Sequence, residues 1–153
     1  MSVEIKLIGI YEVKVIDKNG NIKDVRSGRN LITNVGKAQI AGLINGVVTS
    51  PFKYIAIGTG TTPPAANNTA LEAEKRRKLA DSVSRATTNV SNDTAVITAT
   101  FSGYTGTEAI TESGVFDAAS GGNMLCRQTF SAVNVNWDAG DSLQVTWKIV
   151  VTT

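Results

Sequence analysis

Glu108, Glu112, Asp117, Asp138 and Asp141 stand in turn-rich sequence, where oxygen ligands could hold calcium or two carboxylates could share a hydrolysis. Their spacing matches no calcium loop, and Asp138-Ala139-Gly140-Asp141 reads as a turn between strands. The chain has no histidine, so the commonest general base and the commonest protein ligand for transition metals are both missing. Its one cysteine, Cys126, lies in a strand-like run between Leu125 and Arg127 with no histidine to activate it, and reads as a packing thiol. The expectation is therefore no catalytic residue, no metal ligand and no cofactor, and a protein that is not an enzyme.

Three other groups carry recognition chemistry. Gly58-Thr59-Gly60 follows a strand-like run as a phosphate-binding turn would, but Pro63 and Pro64 remove amide donors and no nucleotide signature follows, so it reads as a loop. Lys75-Arg76-Arg77-Lys78 follows Glu72 and Glu74. The i,i+4 pairs Glu72/Arg76 and Glu74/Lys78 suit a solvated, self-neutralising helix face better than a nucleic-acid contact. Trp137, Tyr104 and Tyr54 are candidate platforms for stacking a sugar or another ligand; for Trp137 the alternative is closure of one end of a barrel.

The formal charge of +2 with 18% charged residues argues against nucleic acid or a membrane as direct partner. No apolar run of signal-peptide or membrane-span length occurs, which points to synthesis in the cytoplasm without a secretion address. A chain of 153 residues suits one domain and buries roughly 68–70% of its unfolded surface.

The elements that must position these residues are mostly strands. Residues 11–16 and 22–26 flank Asp17-Lys18-Asn19-Gly20-Asn21, a hairpin signal. A short helix follows Thr33 or Asn34, with Val35, Ile40, Leu43 and Ile44 on one face and Gly46 as its stop. Residues 52–57 form a strand, residues 58–68 a loop, and Thr69 with Glu72 a capping box that predicts a second short helix. Residues 82–90 and 94–101 form another hairpin around Ser91-Asn92-Asp93, and a flexible segment from Gly103 to Gly106 leads into the terminal strands. In the last strand Leu143, Val145, Trp147, Ile149 and Val151 share one face, an alternation broken only by Val150. Upstream of the first hairpin, Val3, Ile5 and Leu7 alternate with Glu4 and Lys6. They form either an edge strand of the same sheet or an arm that pairs with a neighbouring subunit. The expected fold is mainly β: an antiparallel β-barrel or β-sandwich with two short helices and an N-terminal strand or arm. Residues 1–28 would form the arm and hairpin and 29–153 the main β domain, or 1–153 one continuous domain.

Four segments, NLITNVGKAQIAGLI from Asn30, YIAIGTGTTPPAANNTALEAE from Tyr54, ITESGVFDAASGGNMLCRQTF from Ile110 and AGDSLQVTWKIVV from Ala139, resemble in series small β-rich structural proteins of tailed bacteriophages, of the head-decoration or tail-fibre type. The resemblance covers about 120 residues and carries over no catalytic residue. It implies a non-enzymatic virion protein, with a capsid decoration (cement) protein as the leading reading, because the chain has no repetitive shaft. A tail, tail-tip or fibre component, or a receptor- or carbohydrate-binding domain, is the alternative. The implied partners are the major capsid protein or other virion proteins and the chain itself, as a trimer or another small ring joined through Val3, Ile5 and Leu7.

Overall fold

The computed structural model describes residues 3–153. Its nine strands form an antiparallel sheet, curled into a half-barrel, in the order β4-β3-β7-β8-β2-β1-β9-β6-β5. The mainly β expectation holds.

β1 (Lys6–Ile16) and β2 (Ile22–Ile32) are the hairpin read from Asn19-Gly20. Asp17 closes its turn by accepting the amides of Asn19 and Asn21, both at 2.9 Å, and Gly20 takes the left-handed φ of 85°. The hairpin is not an appendage: Tyr11, Val13 and Val15 belong to the same core cluster as Phe101, Val145 and Trp147. β1 is also not an edge, since it pairs with β2 on one side and along its whole length with β9 (Ser142–Thr152) on the other. Leu7 thus lies inside the chain's own sheet, opposite Val151, whereas Val3 and Ile5 precede β1 and are exposed.

Helix α1 (Asn34–Asn45) starts at Thr33, whose hydroxyl accepts the Gly36 amide, and stops at Gly46 with φ 81°. Thr33 also donates to the Met124 carbonyl at 2.6 Å, and a Cβ on Gly36 would meet the Leu125 carbonyl at 2.5 Å. The missing side chain is what lets the helix start lie on β8 (Met124–Asn136). The expected apolar face is only partly used: Ile40 packs on the core, but Ile44 is 83% exposed.

The second helix does not form. Glu72 turns its carboxylate to the Thr61 amide rather than back to Thr69, and Glu74–Leu79 is a strand, β4, paired with β3 (Tyr54–Gly58). The physical reason is the period of its surroundings. Arg77 lays its guanidinium 3.6 Å from the Phe116 ring centroid, while Arg76 covers Tyr104 at 3.7 Å and Lys78 reaches the Thr100 carbonyl. Alternate side chains thus go to opposite sides, as a strand requires, and their contacts outweigh the weak i,i+4 helix pairs.

β5 (Ser82–Ala86) is shorter than the expected run of 82–90 and pairs only with β6 (Thr94–Phe101). Residues 87–93 leave it as a loop bound by Asp93, which accepts the amides of Thr88, Asn89 and Val90. Thr88 bonds Thr94, which is opposite Val150. This loop explains the break in the β9 alternation: Val150 is buried on the far face beside Thr94, and Val151 is 46% exposed.

Candidate functional site

β7 (Thr107–Phe116) over residues 112–116 and β8 over residues 124–127 are buried on both faces, one face by the main core and the other by the loop from Thr59 to Ala73. Under that loop Leu71 joins Ala56, Phe116 and Met124 in a second, small apolar cluster, with Tyr54 at its margin. Beside the cluster sits Glu112, fully buried. Its Oε2 accepts the amides of Gly60 at 2.7 Å and Ala73 at 2.8 Å, and its Oε1 accepts the Glu72 amide at 3.0 Å and Arg127 Nε at 3.0 Å. Arg127, 2% exposed, spends its two remaining nitrogens on Asn68 Oδ1 and the Thr62 carbonyl.

The pair is a clamp. One carboxylate holds both ends of the loop and the guanidinium holds its middle, so four backbone groups and one side chain of the loop are fixed to β7 and β8. Gly60 is required by this geometry, because a Cβ there would press into Glu112 Oε2. The Gly-Thr-Gly stretch is therefore a carboxylate-binding turn within the chain, not a phosphate site. A carboxylate with four donors and no exposure has no route to a substrate, and it works as structure.

Of the other four acidic candidates, Asp117, Asp141 and Glu108 are also spent internally. Asp117 accepts the amide and side-chain nitrogen of Asn123. Asp141 accepts the Asn136 amide and pairs with Lys23 at 2.7 Å. Burial alone would raise its carboxyl, but the Lys23 ammonium and the Asn136 amide hold it below the usual carboxylate range. Glu108 pairs with Arg76, while Asp138 is exposed in the 3-10 turn, Trp137–Ala139. Among the described residues no group of three or more His, Cys, Asp or Glu could hold a metal ion. Cys126 is buried and its thiol is pushed far up by desolvation, consistent with the packing role read for it. No helix among the described residues is long and apolar enough to cross a membrane.

Of the three aromatic candidates, Tyr104 and Trp137 come together and Tyr54 stands apart. Trp137 is 4% exposed and belongs to the main core, with Tyr104 edge-on at 5.1 Å and Arg76 stacked over Tyr104. The segment from Gly103 to Gly106 is held there, since Trp137 donates its amide to the Gly106 carbonyl. In this arrangement the Trp137 ring closes one end of the core and offers no free face for a sugar. Tyr54 is partly buried against the small cluster. No sequence motif marks the clamp as a unit: Arg127 stands in none, and Glu112 is one of five acids in turn-rich sequence.

The elements that made the chain resemble phage structural proteins are thus its mechanical joints. Thr33 and Gly36 dock the helix, Gly60 and Glu112 lock the loop, Phe116 carries Arg77, and Asp141 ties the final turn. No curated protein matches the chain. The family model of the podophage GP4 fiber I protein gp80 matches residues 32–153, which include the helix, the clamp and the closing strands. The chain belongs to that family, and is a phage virion protein of the tail-fibre type.

Proposed function

We propose that this protein is a non-enzymatic building block of a tail fibre, which presents a rigid β domain and works by contact with other virion proteins and with copies of itself. The family match over residues 32–153 is the observation that carries this reading, and it favours the fibre over the capsid-decoration role. The internal use of the buried acids, with every lone pair of Glu112 directed at the chain's own donors, supports a structural rather than catalytic task. Antibody raised against the purified protein and visualised by gold labelling on intact virions tests it. Label at the tail is expected; label spread over the head shell would overturn the fibre reading in favour of capsid decoration.

A further inference from the structure

The two edges of the sheet are unlike. β4 reads EKRRKL, with five charged residues in six, the usual protection against pairing with another strand. β5 reads SVSRA, with one charge, no proline and no bulge, and four of its five residues are exposed. Its free edge borders an apolar groove of about 480 Å³ whose walls include Leu7, Phe52, Val83, Ile97, Ile149 and Val151. An unprotected strand edge beside an open apolar groove is the geometry of strand addition, in which backbone bonds hold an extended segment and alternate side chains enter the groove.

We infer that this edge and groove receive residues 3–5 of a second copy of the chain. Val3 and Ile5 are 71% and 72% exposed and two residues apart, so both enter one face of an extended strand. Glu4 between them is without a cationic partner among the described residues, and the groove's rim carries Lys53 and Arg85, which form no ion pair among them. Asp93, also on the rim, already binds three amides of its own loop. The arm leaves β1 at Lys6, opposite Thr152, and the groove contains Leu7 and Val151, so donor and receiver lie at the same end of the molecule. A donor and a receiver that are different surfaces make a head-to-tail contact, and their shared end lets it close into a small ring. One short arm is smaller than a lasting interface requires, so the contact gains its strength from closure around the ring.

This deepens the fibre reading, on whose contact with copies of itself it rests, but its test is independent of where the protein sits on the virion. Light scattering of the full chain should give a multiple of 16.1 kDa, falling to the monomer in both V3D/I5D and V83D. Both sites are at least half exposed, and an unchanged melting temperature shows that the monomers are folded. Val83, Ser84 and Arg85 are each changed to cysteine in combination with I5C, as a second measurement. At least one pair should form intermolecular disulfides that the single variants do not, with Cys126 buried and silent. A monomeric wild type, a folded V83D or V3D/I5D variant that keeps its oligomeric mass, or no cross-link from any pair would each overturn the inference. None of these would bear on the gold-labelling result.

Discussion

Replacing Glu112 with leucine removes the acceptor for the amides of Gly60, Glu72 and Ala73 and the counter-charge of a guanidinium that is 2% exposed. An uncompensated buried charge costs about 3–5 kcal/mol. Each stranded amide would add about 1–3 kcal/mol, but the loop can lift into water and recover most of that at the expense of Leu71 and its cluster. The net loss is about 4–6 kcal/mol, a large part of the roughly 5–15 kcal/mol that holds a typical domain. For a domain of this size it lowers the melting temperature by about 10–20 °C. The double variant E112L/R127M removes the charge with its partner, so it should be less damaged than the sum of the single variants by about 2 kcal/mol. Urea unfolding followed by the fluorescence of Trp137 and Trp147, both buried, measures each corner of the cycle. A loss below about 1 kcal/mol for E112L, or additivity within about 0.5 kcal/mol in the cycle, would refute the clamp.

Gly60→Ala should cost about 1–3 kcal/mol, because the new methyl meets Glu112 rather than space, and proteolysis within residues 59–73 should quicken in step. Thr33→Ala loses both a cap and a bond to Met124, for about 1–2 kcal/mol by urea unfolding, whereas Thr33→Ser should retain most of it. Acid should destabilise the fold. Asp17 is lowered by the Asn21 amide, Asp93 by the Val90 amide, and Asp141 by Lys23 and Asn136 against its burial. A carboxyl whose folded value is depressed contributes stability present above its unfolded value near 4 and lost as pH falls through the folded one. The urea midpoint should therefore fall steadily below about pH 4, and Asp141→Asn should lower it at pH 7 while making its acid decline shallower.

The sequence made legible those elements whose cause is local. Asn19-Gly20 selects its hairpin, Thr33 and Gly46 bracket their helix, and β9 alternates because one of its faces is core. β4 reads as a helix in the sequence because its charges form good helix pairs along the chain, while the aromatic rings that draw them apart, Tyr104 and Phe116, are distant in sequence. The clamp joins residues 15 apart on neighbouring strands to a loop 39 to 65 residues away, and no spacing rule links them. The one local sign is a charge next to an apolar stretch in each of two strands, Glu112 shortly before Val115-Phe116 and Arg127 directly after Met124-Leu125-Cys126, which is costly unless the charges meet.

β1 and β9 are paired antiparallel over eleven positions, from Lys6 opposite Thr152 to Ile16 opposite Ser142, so both ends of the chain leave the sheet at one place. Tension applied between a tether before Lys6 and another after Thr152 would peel these strands apart one pair at a time, each bond bearing the whole load in turn. Tension between Lys6 and a point at the other end of β9, such as the turn at Gly140, would instead shear the β1–β9 contacts together. The same domain is thus a weak link when pulled through its two ends and a strong one when held by its arm and loaded from its far end.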